Sequence, residues 1–211
     1  MPLDLATLLD PAHTAVLTME LQRGVVGEGG AIRELADVVA AHGVVDRAVD
    51  VVRAARAAGA HVVHCTAEFR SDRAGSRDNS PLLHALAKGA PGPLAGSPDA
   101  DVVAELGPEP SDLISPRNHG LTPFPGTGLD QLLRNIGART VVATGVSLNV
   151  GVTGLVMVAV DLGYDVVVVT DAVAAMPWEY GEAVLEHTIA PLATRLTSGE
   201  VIATWARLQR R

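Results

Sequence analysis

Short runs of β-branched residues alternate with longer helical patterns, and this alternation constrains the fold of the chain more than any other feature. Strands are predicted over residues 14–19, 61–66, 112–115, 140–144 and 165–170. The segment from Val166 to Val169 is apolar at every position, as in parallel strands that are buried on both faces. The pattern predicts an α/β fold in which three layers, α/β/α, surround a Rossmann-like, mostly parallel sheet of about six strands.

Helical patterns fill the stretches between these strands, at residues 44–58, 81–88, 149–162, 178–190 and 199–208. With 211 residues, 48% of them hydrophobic, the chain is predicted to form one domain over residues 1–211. Residues 71–110 are rich in Gly, Pro, Asp and Ser and form a long excursion. Such a connection either covers a functional site or is mobile, and in an oligomer it could complete the site of a neighbouring copy.

Composition excludes several classes of function. The formal charge of −8 argues against a groove for nucleic acid, and no apolar run reaches the ~18 residues of a membrane helix. Cys65 is the only cysteine, so no intrachain disulfide or cysteine-based metal cluster can form, and a reducing cytoplasm is the expected location. Paired metal-ligand spacings and a phosphate-binding loop are missing, so neither a metal nor another cofactor is expected.

Polar and aromatic residues follow the predicted strands, where open parallel sheets bind their ligands. The candidates for the site are Glu20, Gln22, Phe69, Arg117, Asn118, His119, Ser147, Asn149, Gly151, Trp178 and Tyr180. Glu20 ends an apolar strand, where an ionised carboxylate needs a partner. Glu20 is expected either to have a catalytic role or to form a structural pair with an arginine. Gln22 is expected to hold its loop by hydrogen bonds or to touch substrate.

Three segments together resemble the isochorismatase-like hydrolases. The segment VLTMELQ at residues 16–22 resembles the family's first strand, which ends in Asp-x-Gln. The segment TPFPGTGL at residues 122–129 is similar to the family's S-A-F-x-G-T-x-L, and TGVSLNVGV at residues 144–152 is similar to T-G-V-x-x-N-V-C-V. The resemblance spans most of the chain and implies a small-molecule substrate and a homodimer or homotetramer.

The resemblance implies a site in which all three catalytic positions have changed. The family's Asp corresponds to Glu20, its Lys to Asn118 and its nucleophilic Cys to Gly151. Glycine has no side chain, so covalent thiolate catalysis is excluded at that position. Arg117 could supply the missing positive charge, but in an extended segment its side chain should point away from that of Asn118.

True isochorismatases also resemble this chain in carrying glycine at the cysteine position. They protonate an enol carbon from the carboxyl group, and water then adds to the cation. The leading hypothesis is therefore a hydrolase or lyase-type enzyme in which Glu20 is the acid/base, Asn118 and Gly151 complete the catalytic set, and the backbone amides of residues 147–151 cradle an anion. The resemblance also implies a cis peptide bond at Val146–Ser147.

Substrate contacts are predicted for the remaining candidates. These are Gln22, Phe69, Arg117, His119, Ser147, Asn149, Trp178 and Tyr180. Two alternatives stay open: a catalytically inactive binding or scaffold protein that kept the fold, and a serine hydrolase using Ser147 with Asp171 and His187.

Overall fold

The fold is built on six parallel strands. The computed structural model describes residues 4–89 and 92–210, and the boundary positions of the predicted single domain, 1–3 and 211, lie outside these ranges. The strands are β1 (Thr14–Met19), β2 (His61–Ala67), β3 (Leu113–Arg117), β4 (Thr140–Val146), β5 (Asp165–Ala174) and β6 (Thr194–Leu196). Their order in the sheet is β3-β2-β1-β4-β5-β6, and all neighbouring pairs are parallel.

Helices connect the strands and cover both faces of the sheet. They are α1 (Leu5–Leu8), α2 (Arg23–Val26), α3 (Arg33–Ala41), α4 (Val44–Ala58), α5 (Pro81–Lys88), α6 (Leu129–Asn135), α7 (Thr153–Asp161), α8 (Tyr180–Ala183) and α9 (Ser198–Leu208). One turn of π-helix, Leu148–Val152, precedes α7, and another, Val184–Ile189, follows α8. The predicted α/β/α fold is confirmed. Helices α1, α2, α3 and α6 and strand β6 were not predicted.

The alternation of side chains along the strands divides the core into two clusters. On one face, Val16 of β1 and Val142 of β4 pack with Val51 of α4 and Trp205 of α9. On the other face, Leu17 packs with residues of α6 and α7. Because successive strand residues point to opposite faces, the continuous apolar runs supply both clusters at once.

A buried polar network ties the sheet to α4 beneath the first of these clusters. The hydroxyl of Thr18 lies 2.7 Å from Nδ1 of His64, and Nε2 of His64 lies 3.3 Å from a carboxylate oxygen of Asp112. Arg56 of α4 donates from Nε to the same carboxylate over 3.1 Å. Burial lowers the pKa of His64, although Asp112 opposes that effect. The Arg56 side chain and backbone N–H of Glu109 outweigh burial and lower the pKa of Asp112.

The lowered pKa of His64 predicts a loss of stability in mild acid. The unfolded chain, with a histidine pKa near 6.5, takes up the proton before the folded protein does, so stability is complete above that pH and falls below it. Urea unfolding measured from about pH 8 to about pH 5 should show this fall. His64→Gln, which cannot be protonated, should flatten it. An unchanged slope in this variant would contradict the assignment.

Candidate active site

A cavity opens at the carboxyl ends of β1 and β4, where the strand order of the sheet reverses. Its volume is about 100 Å³, and it opens to solvent. Four of its lining residues are polar or charged, and the others are apolar or glycine. The polar residues are Glu20, Arg73, Arg117 and Ser147; the apolar residues are Val25, Ala31, Ile32, Leu35, Ala67, Phe69, Leu82, Leu83, Leu86, Pro93, Leu121 and Val150; the glycines are Gly24, Gly92, Gly120 and Gly151.

Glu20 enters the cavity from a strained turn after β1. Its φ of 51° lies in the left-handed region, where a residue other than glycine costs on the order of 1–3 kcal/mol. Its backbone N–H donates to the carbonyl of Cys65 on β2 over 3.0 Å. Strain of this kind persists where the surrounding structure imposes it, and it clusters at functional sites.

Arg117 forms an ion pair with Glu20 inside the protein. Its Nη2 donates to Oε1 of Glu20, and its Nε donates to the carbonyl of Gly120 over 3.3 Å. The Arg117 side chain is 5% exposed and that of Glu20 is 18% exposed. Nη1 of Arg117 is buried as well, and no acceptor for it is found within the described ranges. Glu20 thus has the arginine partner considered from sequence, while it also lines the cavity.

Arg117, rather than the adjacent Asn118, points into the cavity that holds Glu20. Strand β3 alternates, with Ser115 and Arg117 buried and Ile114 and Pro116 exposed. This alternation continues to the end of the strand, so it directs Arg117 toward Glu20. The positive charge that the family motif places at Asn118 is supplied in this chain one residue earlier.

Asn118 and His119 do not line the cavity that holds Glu20. They line a neighbouring cavity with residues of the excursion, among them Gly75 and Ser80. The carbonyl of Asn118 accepts from the hydroxyl of Ser76, and Nδ1 of His119 accepts from the N–H of Arg77 over 3.2 Å. Both residues hold the excursion against the end of β3, so the predicted catalytic contact of Asn118 with Glu20 is not formed.

Gln22 and Asn149 bind the backbone and not the cavity. The Gln22 side chain is fully buried and bonds the N–H and carbonyl of Ala67 and the carbonyl of Ala100 over 2.7–3.0 Å. Asn149 pairs with the backbone N–H and carbonyl of Met176, each over 3.2 Å. The loop-holding role expected for Gln22 is confirmed, whereas a substrate contact is excluded for it because its polar atoms are engaged elsewhere.

Only one of the three candidate aromatic residues lines the cavity. Phe69 does so, with the guanidinium of Arg73 over its ring at 4.3 Å from the centroid. Trp178 instead stacks on His42, their ring centroids 3.6 Å apart. Tyr180 is 52% exposed at the start of α8. Trp178 and Tyr180 do not line the cavity, so the structure does not support the substrate contacts predicted for them.

Gly151 lines the cavity with its backbone. A Cβ atom built there would lie 3.1 Å from Cε of Met19 and 3.1 Å from the carbonyl of Val146. An added side chain would therefore crowd the end of the Met19 side chain. The Val146–Ser147 peptide bond is cis, as the resemblance implied. The N–H groups of Val150 and Val152 donate to the carbonyl of Ser147 over 3.2 and 3.0 Å, so these two amides are engaged within the turn.

Neither nucleophile considered from sequence is assembled for covalent catalysis. Cys65 is 1% exposed, and burial raises the pKa of its thiol to about 12. Ser147 lines the cavity, but Asp171 binds the backbone and hydroxyl of Ser198, each over 2.7 Å. His187 is exposed in the turn after α8. The serine triad is therefore not formed.

The apolar wall of the cavity was not predicted. Leu82, Leu83 and Leu86 of α5 line it, together with Arg73, so the excursion covers the cavity of its own chain. The spacing of these leucines places them on neighbouring positions of one helix face, which was the available signal. No metal-binding group of three or more His, Cys, Asp or Glu residues occurs in the described part of the chain.

The chain belongs to the isochorismatase family: residues 14–200 match the Isochorismatase domain. It is 32% identical over 178 residues to the ureidoacrylate amidohydrolase RutB of Rhizobium rhizogenes, covering 78% of this chain and 71% of that protein. An isochorismatase family protein from Desulfovibrio vulgaris has a similar structure, with a TM-score of 0.78 and 29% identity over 92% of this chain and 98% of that one. The N-carbamoylsarcosine amidase of Thermoplasma acidophilum shares the fold, with a TM-score of 0.69 and 23% identity over 88% and 96% of the two chains.

Homologues of this chain are thus hydrolases, and the family resemblance found in the sequence is confirmed. None of the helices in the described ranges has the length and apolar character needed to cross a membrane.

Burial of Cys65 predicts that its thiol does not react in the folded protein. Iodoacetamide at about pH 8 should leave the native chain unmodified, because a thiol with a pKa of about 12 is almost entirely protonated there. In denaturant the same reagent should add one group, which intact-mass spectrometry counts directly. Rapid modification without denaturant would refute the buried assignment.

Crowding at Gly151 predicts a stability cost for any added side chain. Gly151→Ala should lower the free energy of unfolding by about 1–3 kcal/mol, since the Cβ meets Met19 and a carbonyl oxygen. The cost should be smaller in a Met19→Val background, measured as a double-mutant cycle in urea. Gly128→Ala is the control, because a Cβ there meets open space. Equal costs in both backgrounds would show that Met19 does not cause the crowding.

Proposed function

We propose that this chain hydrolyses a small molecule without a covalent cysteine intermediate, using Glu20 to move the proton. The observation that carries the proposal is the Glu20–Arg117 pair on the wall of an apolar cavity, next to the backbone of Gly151. Apolar pockets with a few convergent polar groups are the usual form of a small-molecule site. The strained backbone of Glu20 supports the same location.

The carboxylate of Glu20 forms an ion pair with Arg117, and its first role in the proposed reaction is that of a general base. Glu20 takes a proton from a water molecule, and the water oxygen attacks the carbonyl carbon of an amide or ester. The carbonyl π electrons move to the oxygen, where backbone N–H groups of the turn around Gly151 stabilise the charge. Glu20 then returns the proton to the leaving nitrogen or oxygen as its bond to carbon breaks.

This order of steps differs from protonation of an enol ether, which needs a neutral Glu20 carboxyl at the start. In the structure that carboxyl is paired with the guanidinium of Arg117. Asn118 has no part in the proposed chemistry because it lines the neighbouring cavity. A binding protein without turnover is the second candidate, favoured by the change at all three family positions and by the closed ion pair.

Loss of the Glu20 carboxylate should abolish hydrolysis. In a panel of amides, esters and enol ethers, Glu20→Gln should reduce kcat by about 100-fold or more, the usual contribution of a general base. Glu68→Gln is the matched control: Glu68 stands at the same edge of the sheet and accepts a hydrogen bond from Thr66 over 2.8 Å, but it does not line the cavity. Its kcat should stay unchanged.

Two further results separate the candidates. Cys65→Ala should retain turnover, and a loss there would contradict the mechanism without a covalent cysteine. Compounds that bind the cavity but are never turned over by the wild-type chain would favour the binding protein. The homodimer or homotetramer that the family resemblance implied remains a proposal, which sedimentation of the purified chain would test.

A further inference from the structure

The guanidinium of Arg117 has one donor group left over. Nε donates to Gly120 and Nη2 to Glu20, whereas Nη1 is buried and has no acceptor in the part of the chain that the structure describes. A guanidinium presents five N–H donors, and leaving a buried charged donor unsatisfied is costly. A group that supplies an acceptor oxygen at this point therefore gains a hydrogen bond that the free protein does not make.

The charge already present decides which kind of acceptor fits. Glu20 neutralises Arg117; Arg73, the third charged residue of the lining, lies over the ring of Phe69, and the other walls are apolar, with Leu35 and Leu86 among them. A carboxylate placed at Nη1 would put two anions on one guanidinium, away from water, and one of them would have to take up a proton. A carbonyl or ether oxygen brings no such penalty.

We infer that the cavity takes an uncharged, largely apolar compound whose carbonyl or ether oxygen accepts a hydrogen bond from Nη1 of Arg117. The inference deepens the proposed function and rests on it, because it names the class of substrate for the same site. It makes Arg117 the residue that determines specificity, through a donor that only a ligand satisfies. Glu20 remains free to act as the base because no second anion competes for its partner.

Access to Nη1 requires one wall of the cavity to move. Arg117, Leu83, Gly120 and Leu121 line both the cavity with Glu20 and the neighbouring one, so they form a shared partition. Leu83 belongs to α5, which has no fully buried residue and is therefore weakly held. A compound that reaches Nη1 has to displace part of this partition, and apolar contact with α5 favours the exchange.

This class of ligand differs from the compound that appears in the name of one relative. Ureidoacrylate, in the name of the relative from Rhizobium rhizogenes, is a polar carboxylate. At Nη1 such an anion would share one guanidinium with Glu20, next to a leucine-lined wall, and this arrangement does not favour it. Ureidoacrylate therefore serves as a negative probe for this chain.

Binding of an uncharged ketone and its isosteric carboxylate tests the inference without requiring turnover. Benzylacetone and hydrocinnamate have the same shape, and neither contains a bond that the proposed reaction cleaves. Titration calorimetry at about pH 8 should show benzylacetone binding at least about tenfold more tightly than hydrocinnamate or ureidoacrylate. Lowering the pH should strengthen the binding of the two carboxylates but not that of benzylacetone, because only the carboxylates must take up a proton to bind.

Substitutions of Glu20 and of Arg117 should change the affinities for the two probes in different ways. Glu20→Gln removes the competing anion, so hydrocinnamate should become the tighter ligand while hydrolysis is lost. Arg117→Met should weaken benzylacetone by about fivefold, the contribution of one hydrogen bond. If that variant does not fold, Glu20→Met with Arg117→Met removes both charges and should show the same weakening. Arg134→Met, outside the cavity, is the control and should bind as the wild type does.

A wild-type preference for either carboxylate at this pH, or no binding of benzylacetone, would overturn the inference. The inference would also be overturned if Glu20→Gln left the affinity for hydrocinnamate unchanged. These failures are distinct from failure of the proposed function. Hydrolysis that depends on Glu20 could coexist with a charged substrate, and selective binding of the ketone could occur in a chain that hydrolyses nothing.

Discussion

The ion pair between Glu20 and Arg117 is the interaction around which the site is built. Removing two charges from water costs several kcal/mol per ion, and attraction between them repays this only when the geometry is good and the remaining donors are satisfied. Here the side chain of Arg117 is 5% exposed, and one of its nitrogen atoms is unsatisfied. The pair joins the end of β1 to the end of β3 across the intervening β2, so it fixes the edge of the sheet where the cavity opens.

The changes at the family positions are physically consistent with one another. Gly151 offers no side chain to the cavity, and a Cβ atom added there would meet the side chain of Met19. The one cysteine of the chain is buried on β2, facing the core, and burial raises the pKa of its thiol. Glu20 and Arg117 form a charged pair at the same cavity. The polar character of the site therefore comes from an ion pair and not from a thiol.

Sequence patterns predicted the sheet well because its strands are buried on both faces. The bounds of β1 and α4 agree with the prediction, since a continuous apolar run and a helical periodicity each have clear ends. The three-residue β6 and the four-residue α2 are too short for any periodicity to emerge. The site was harder to predict because side-chain direction depends on register. At the end of β3, Arg117 faces the site and the adjacent Asn118 does not, and a difference of one residue in a strand reverses the direction of a side chain.

The apolar wall could not be predicted because it comes from the excursion, whose path depends on tertiary contacts. Its attachment is nonetheless local and polar: Ser76 and Arg77 bond to the segment that follows β3. The Glu20–Arg117 pair also bears on the proposed substrate. In the proposed reaction the carbonyl oxygen of the substrate gains negative charge, and a hydrogen bond from Nη1 of Arg117 would stabilise that charge as it develops. An uncharged substrate brings no anion to this guanidinium beforehand, whereas an anionic one would compete with Glu20 for its partner.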